Sequence, residues 1–308
     1  MALTNDEITS LTHRFIMPVL QDNIFNSNPA MQRIKKKNYQ SLAGGQKGVV
    51  PVLYATTGSA MRQTSDNLDV SSNNQISSAE FEWKRYNAAI VVSGLEEIKN
   101  AGDAAVINLV TARSQAAEKS LSDIMGTDLF AAGGTAGSFI GFQLMVDSTG
   151  TYGIIARGTN SWWAAQEDGT TAVLSLAKMQ GLFGDCTVDS DRPTVIYTYQ
   201  DAYDDVYGLI QPQQRYGDEE TVKAGFTSIL WNGIPVIVDS HVTSTSGSGE
   251  FYMLNENYFG MKYHAKRNFV LTPFQQPVNE DASYAHVKWA GFLWGNNCRM
   301  QGKFNNLT

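Results

Sequence analysis

The chain has 308 residues, of which 43% are hydrophobic and 17% are charged, with a formal net charge of −7. This composition excludes a disordered chain, and the length is enough for one large or two ordinary domains with a sizeable core. The acidic balance excludes a globally basic nucleic-acid-binding protein, while a local basic face stays compatible with it.

The first 45 residues are predicted to form an extended arm. The opening MALTNDEITSL carries early acids and no apolar core, so no signal peptide is expected. No stretch approaches ~18 consecutive apolar residues, so no membrane span is expected either. One short amphipathic helix is predicted on Ile8, Leu11, Phe15, Ile16 and Val19. The rest of the arm has little periodicity, and Gly44-Gly45 breaks the chain after it.

A long β-hairpin is predicted next, with Gly48–Tyr54 and Ala79–Ser93 as partner strands. The intervening residues 55–78 are almost all small or polar, and such long connections are uncommon in compact domains. In the second strand the run at 88–92 predicts burial on both faces. About 12 residues per strand give an arm of ~40 Å. Because two strands alone are marginal in water, the hairpin is expected to lie on something outside its own subunit.

A long helix is predicted from Asp103 to Phe130, with Gly126 as an earlier alternative end. Its apolar residues recur at steps of three and four. Residues 135–170 read as short strands and turns. An α/β pattern follows, with helices at Leu176–Phe183 and Gln200–Leu209. Strands are predicted at Thr194–Tyr197, Ile229–Trp231, Ile234–Val238, Phe251–Leu254, Asn268–Thr272, Ala285–Trp294 and Met300–Phe304. Asn232-Gly233 predicts a tight hairpin turn between the second and third of these strands.

No motif for catalysis, nucleotide binding or metal binding is found, so no catalytic residue, cofactor or metal is expected. The four histidines are widely separated and lack metal-ligand spacing. Cys186 and Cys298 are predicted to be reduced and buried, and a single disulfide between them is the alternative. Trp162-Trp163 together with paired acids allows a carbohydrate cleft as a weak alternative.

Two groups of residues are candidates for contacts. The first is the one basic cluster, which is read either as a solvated face of the arm or as a contact to DNA phosphates or a scaffolding partner, and comprises Arg33, Lys35, Lys36 and Lys37. The second is expected to form the inter-subunit contact of the hairpin and comprises Arg62, Phe81, Trp83, Lys84 and Arg85.

The order of these elements resembles the major capsid proteins of tailed bacteriophages with the Hong Kong 97-type fold. The likeness is carried by GGQKGVVPVLYATTGS, AEFEWKRYNAAIVVSGLEEIKNAG and AEKSLSDIMGTDLFAAGG, and further on by YGIIARGTNSWWAA and ILWNGIPVIVDS. It implies an α+β capsid fold with an N-arm at 1–45 and an E-loop hairpin at 46–95. It also implies a peripheral domain with a spine helix at 96–165, an α/β axial domain at 166–264, and return strands to the peripheral domain at 265–308.

The resemblance implies hexamers and pentamers that close an icosahedral shell around double-stranded DNA, which is held by weak nonspecific contacts. It further implies a portal, and a separate scaffolding protein because no scaffold-like N-terminal extension is seen. The expected location is the virion, assembled in the host bacterial cytoplasm with no membrane contact. Crosslinking is not carried over, since nothing around Lys47 or Lys84 activates it. The alternatives are an encapsulin-like compartment, or a glycan-binding or polysaccharide-active β-rich protein.

Overall fold

A computed structural model describes residues 28–55, 74–99, 103–133, 137–214, 229–245 and 248–308. The helix predicted near the N-terminus and the candidate contact residue Arg62 lie outside these ranges. None of the helices in the described ranges is long and apolar enough to cross a membrane.

The described chain begins with helix α1 (Pro29–Lys37) and strand β1 (Tyr39–Leu42), where the sequence predicted only extended arm. Proline at the first helical position and the Asn28 cap explain the helix, because the Asn28 Oδ1 accepts a hydrogen bond from the Met31 N–H at 3.1 Å. One face of the helix is buried through Ala30, Met31 and Ile34. The prediction of an extended arm was therefore wrong for residues 29–37. The signals for this helix are the Asn28 cap and the short apolar face, which are too brief to show as periodicity.

The hairpin consists of β2 (Gly48–Leu53) and β3 (Ile76–Phe81), which pair antiparallel over six residues. Six residues span about 20 Å, half the predicted arm. The predicted second strand is in fact two strands, because the strand conformation is interrupted at Glu82-Trp83 and resumes as β4 (Lys84–Ser93). β4 leaves the hairpin and forms a separate ten-residue ladder with the closing part of the chain. Its burial alternates, so the predicted cover on both faces of the run 88–92 is also wrong.

The first sheet combines strands from residues 39–42 and 84–93 with strands from residues 259–295. It contains β12 (Phe259–His264), β13 (Val270–Leu271) and β14 (Ala282–Gly295) in the order β1-β12-β14-β13, with β4 also paired to β14. β1 joins β12 in parallel, and the other pairs are antiparallel. The first sheet thus fixes β1, near the start of the described ranges, to β12, more than 200 residues later in the chain.

Two helices connect β4 to the middle of the chain. α2 (Gly94–Lys99) is followed by α3 (Asp103–Phe130), whose bounds confirm the predicted long helix and show that Gly126 does not end it. α3 packs along β4. The buried apolar residues of its second half are Ala117, Leu121, Met125, Leu129 and Phe130, and the last of these packs against Tyr197 and Tyr252 of a second sheet. At 1.5 Å per residue the helix is about 42 Å long, and it has the most residues of any element in the described ranges.

Short elements follow, as predicted for residues 135–170. They are α4 (Phe142–Met145), β5 (Thr151–Tyr152), β6 (Ile155–Ala156), a 3₁₀ turn (Ser161–Trp163) and β7 (Gln166–Asp168). The buried guanidinium of Arg157 holds this region together by donating to the carbonyls of Leu144, Met145, Thr149 and Trp163.

The second sheet has the order β7-β15-β11-β8-β10-β9. Its further strands are β8 (Val195–Thr198), β9 (Leu230–Trp231), β10 (Ile234–Val238), β11 (Gly249–Leu254) and β15 (Gly302–Leu307). Helices α5 (Leu176–Asp185) and α6 (Gln200–Gln214) accompany it. The predicted turn between β9 and β10 is confirmed, with Asn232 at φ 53° and Gly233 at φ 79°, the left-handed region a tight hairpin needs.

The two sheets divide the chain differently from the predicted borders. β12 belongs to the first sheet although it lies inside the predicted axial segment, and β15 belongs to the second sheet although it lies inside the predicted return strands. One continuous apolar core runs beneath both sheets. Cys186 and Cys298 are free and buried in it, so the disulfide alternative is not observed.

Candidate functional site

The inner face of the hairpin is packed on its own subunit. Val50, Val52, Ala79 and Phe81 are all buried there. The Phe81 ring lies 5.2 Å from that of Tyr152 and 6.0 Å from that of Phe292, measured between centroids. The backbone N–H of Glu80 donates to the Gly153 carbonyl at 3.0 Å. Phe81, predicted to contact a neighbouring subunit, is therefore a core residue with 2% of its surface exposed.

Gly48 shows how closely the hairpin approaches the body. A Cβ at this position would lie 2.0 Å from Cζ of Phe292, well inside contact distance. Only glycine lets the first residue of β2 pass over that ring. Phe292 thus contacts both strands of the hairpin and works as its seat on the first sheet.

The opposite face of the hairpin carries four uncovered apolar side chains in the single subunit, beside Ser78 and Glu80. We name this surface, formed by Val49, Pro51, Leu53 and Ile76, the outer hairpin face. Leu53 and Ile76 stand directly opposite each other in the ladder and are each 69% exposed. Large exposed apolar residues that cluster mark an interaction surface, whereas scattered ones do not. The exposed apolar residues of β2 occupy every second position of GVVPVL, a pattern that the sequence already contains. The sequence-based prediction nevertheless placed the inter-subunit contact at other residues.

The remaining predicted contact residues do not form one patch. Trp83 is half-buried; its indole N–H donates to the Gly45 carbonyl at 2.9 Å, and its ring meets Phe292 edge-on at 5.2 Å. Lys84 lies 3.5 Å from the Glu82 carboxylate. Arg85 is exposed on β4. Trp83 therefore helps to seat the hairpin, and Arg85 is the described member of the set that faces solvent freely.

The outer edge of β4 is a second uncovered feature. In the described part of the chain β4 has β14 as its only strand partner. A groove of about 460 Å³ separates this edge from α3 and is lined by β4 residues 86–91 and by helix residues that include Ala116, Ser120 and Ile124. Arg113 closes one end of it by donating to the Val91 carbonyl and to both carboxylate oxygens of Glu96. An unpaired strand edge offers backbone donors and acceptors to another chain.

The predicted basic cluster divides into a structural and an exposed part. The Arg33 guanidinium donates to both oxygens of Glu256, at 2.8 and 2.7 Å, and the Glu256 side chain is 3% exposed. This hydrogen bonding raises the pKa of Arg33. Lys36 and Lys37 are exposed on the last turn of α1, and Lys35 is half-buried. Arg33 thus fixes α1 to the loop between β11 and β12, where Glu256 lies. The exposed positive charge of the cluster lies on Lys36 and Lys37.

Replacing Arg33 with glutamine should lower the free energy of unfolding by about 2 kcal/mol, because it leaves the buried Glu256 carboxylate without its charged partner. Urea denaturation followed by tryptophan fluorescence measures this change. The matched variant Lys36→Gln/Lys37→Gln removes two exposed charges and is expected to stay within about 0.5 kcal/mol of the unmodified chain. Equal effects of the two variants would show that Arg33 is not structural.

The tryptophan pair does not form a carbohydrate cleft. Trp163 is 1% exposed and donates its indole N–H to the Tyr152 carbonyl at 3.0 Å. Trp162 stacks on Tyr54 at the end of β2, with ring centroids 4.8 Å apart. Both rings therefore support the fold and the hairpin. In the ranges that the structure describes, no group of three or more metal-ligating side chains is found.

Comparison with solved structures reveals a shared fold at low sequence identity. No protein-family model and no curated protein matches the sequence. The structure is similar to the capsid of cyanophage A-1(L), with a TM-score of 0.65, 15% identity and coverage of 92% of this chain and 93% of that chain. It is similar to the capsid of a native GTA particle, with a TM-score of 0.63, 12% identity and 90% coverage of both chains.

An encapsulin also shares the architecture. The SrpI encapsulin from Synechococcus elongatus PCC 7942 matches with a TM-score of 0.58 and 11% identity, over 90% of this chain and 87% of that chain. Likeness at such low identity establishes the fold alone. The chain has the Hong Kong 97-type fold of tailed-phage major capsid proteins.

Proposed function

We propose that this protein is a non-enzymatic major capsid protein that assembles with copies of itself into a closed icosahedral shell around phage double-stranded DNA. The observation that carries the proposal is the outer hairpin face, an apolar surface left uncovered by a subunit whose fold is that of shell proteins. The unpaired edge of β4 is a second surface that a neighbouring copy would cover.

The energetics of such a shell rest on repetition. Burial of apolar surface contributes about 25 cal/mol per Å², and an ordinary protein interface buries about 1,600 Å² in total. A contact of that size is modest for one pair of subunits. Because each copy in a closed shell makes the same contact with its neighbours, the shell as a whole forms cooperatively.

The proposed parts follow the architecture. The hairpin and its tip, residues 46–81, reach a neighbouring copy, while β4 stays in the first sheet. The segment 1–45 forms the N-arm, of which β1 is fixed to the first sheet. The second sheet with α5 and α6 forms the axial unit that meets its copies in hexamers and pentamers, and the first sheet with α3 forms the peripheral unit. This assignment moves β12 to the peripheral unit and β15 to the axial unit, in accordance with their sheet partners.

The proposed partners are a separate scaffolding protein, a portal and the packaged DNA. Lys36 and Lys37 supply exposed positive charge for weak nonspecific phosphate contacts. The net charge of −7 is consistent with a shell that holds its DNA loosely. We place the assembled protein in the virion, with assembly in the host bacterial cytoplasm.

Size-exclusion chromatography with light scattering, followed by electron microscopy, tests this function. Expression with the neighbouring phage genes should yield megadalton shells or capsomer rings that contain nuclease-resistant double-stranded DNA. The encapsulin likeness makes a cargo compartment the second candidate, and shells that enclose a protein and no DNA would favour it. A monomer of about 34 kDa at every concentration, with glycan binding, would contradict both.

A further inference from the structure

His241 lies between two carboxylates where three parts of the fold meet. Its Nδ1 is 2.8 Å from Oδ1 of Asp239, and its Nε2 is 3.3 Å from Oδ1 of Asp123. The Asp239 side chain is fully buried, that of His241 is 12% exposed, and that of Asp123 on α3 is 76% exposed. The imidazole therefore bridges the end of β10, in the second sheet, to the long helix.

The same buried aspartate also holds the first helix. Oδ2 of Asp239 accepts a hydrogen bond from the backbone N–H of Ala30 in the first turn of α1, at 3.4 Å. Oδ1 additionally accepts from the backbone N–H of His241 at 3.1 Å. Asp239 thus joins α1 to the β10 end, and His241 extends this junction to α3.

A glycine on α3 makes room for the junction. A Cβ at Gly126 would lie 2.4 Å from Nδ2 of Asn28 and 2.6 Å from Cε1 of His241. Asn28 and the imidazole therefore both press against this turn of the helix. Nδ2 of Asn28 is buried and has no hydrogen-bond acceptor within the described ranges. A buried donor without an acceptor is unfavourable, so this arrangement has an unused hydrogen bond beside the imidazole.

The chemistry of the bridge depends on protonation. Ionised carboxylates only accept hydrogen bonds, so both ring nitrogens must carry a proton to satisfy Asp239 and Asp123 together. Only the imidazolium has two N–H donors. The neutral ring has a single N–H donor. The buried Asp239 carboxylate has no access to solvent, so it retains this hydrogen bond in preference to the exposed Asp123. Nε2 then presents a lone pair to the Asp123 carboxylate, and that contact becomes repulsive.

We propose that His241 is a proton-operated latch between the axial part of the fold and the long helix. In acid the imidazolium binds Asp239 and Asp123 and ties α1, the β10 end and α3 together. On deprotonation the ring keeps Asp239 and releases Asp123. The charged groups facing the ring are Asp239 from the β10 end and Asp123 from α3, while α1 presents Asn28 and Ala30.

The pH window follows from the direction of the shift. The hydrogen bond to Asp239 raises the pKa of His241 above its ordinary value, against the opposing effect of burial. A raised pKa in the folded state means that the latch is fully present below the unfolded-state pKa and is lost as the pH rises through the folded-state value. The junction should therefore be tighter in mild acid than in mild alkali.

Hydrogen–deuterium exchange tests the latch on the full chain, at about pH 5.5 and about pH 8.5, with rates corrected for intrinsic pH dependence and the oligomeric state checked by light scattering. The peptide covering 120–130 should exchange about threefold faster at the higher pH, the effect expected of one exposed charged contact. The peptide covering 28–37 should change little, because Asp239 holds α1 in both protonation states. In Asp123→Asn the amide can accept from the imidazolium or donate to the neutral ring, so this variant should lose the pH response and stay protected.

Two further variants separate the latch from a merely structural role. Asp123→Ala should exchange fast at both pH values, because the bridge is absent in both. His264→Gln is the matched control; that ring accepts from the Lys266 backbone N–H in the first sheet, and the native pH response should persist. A native chain without the pH response, or an Asp123→Asn chain that retains it, would overturn the proposal. The measurement requires a folded subunit only, so its outcome is independent of whether shells form.

Discussion

The double substitution Leu53→Lys/Ile76→Lys is expected to give a folded subunit that no longer assembles. Both side chains are 69% exposed and stand opposite each other on the outer hairpin face, so lysines there disturb no described contact of the subunit itself. At an interface, each change removes about 2 kcal/mol of apolar burial and adds a charge that must be desolvated. A loss of about 4 kcal/mol per subunit lowers the contact affinity roughly a thousandfold.

Light scattering and electron microscopy of the purified variant measure this loss. Circular dichroism and urea denaturation should show unfolding within about 0.5 kcal/mol of the unmodified chain, as expected for exposed positions. Val278→Lys is the matched control, because Val278 is an apolar residue fully exposed in the loop before β14. Normal shells from the double variant would refute the role of the outer hairpin face, whereas shell loss in both variants would point to net charge as the cause.

The second large effect is expected from Phe292→Ala, which removes the seat of the hairpin. The ring is 2% exposed, stacks on Phe81, meets Trp83 edge-on and lies under Gly48. Truncating a buried phenylalanine costs about 3–5 kcal/mol, since the cavity is closed only in part. Urea denaturation measures the loss in the free energy of unfolding. The hydrogen-exchange rate of peptides covering 48–53 and 76–81 should increase more than that of peptides from the first sheet.

Phe292→Leu is the control for this change, because it keeps most of the apolar volume and should cost about 1–1.5 kcal/mol. A second comparison is Phe269→Leu, a buried ring just before β13 that contacts Trp289. It should lower stability without selective exchange in the hairpin. The role of Phe292 in holding the hairpin would be disproved if Phe292→Ala lowered the free energy of unfolding by less than about 1 kcal/mol. An unchanged rate of hydrogen exchange in the hairpin would disprove it as well.

Helix α3 and the β9–β10 turn show where local pattern suffices. The apolar recurrence from Asp103 to Phe130 is long enough for the 3.6-residue period to dominate, and the observed helix has the predicted bounds. Asn232-Gly233 adopts the left-handed conformation that this pair tolerates best. In both cases the structural preference lies within the residues concerned and their immediate neighbours.

The hairpin and the basic cluster show where pattern fails. The sequence from Ala79 to Ser93 reads as one strand, first alternating and then continuously apolar. It nevertheless changes partner at Glu82-Trp83, because β14 supplies a ten-residue ladder that the six-residue β2 cannot match. Arg33 and Lys36 look alike in a run of basic residues. Only the distant Glu256 distinguishes the buried ion pair from the solvated charge.

The long helix, the tight turn and the presence of a hairpin after Gly45 were determined by the sequence alone, since they follow from periodicity, glycine and side-chain size within short windows. The tertiary structure decided which face of the hairpin stays uncovered, which basic residue is structural, and that His241, Asp123 and Asn28 meet. These features depend on pairing between residues 100 to more than 200 positions apart. Contacts of that range are set by the packing of whole sheets and leave no local periodicity to read.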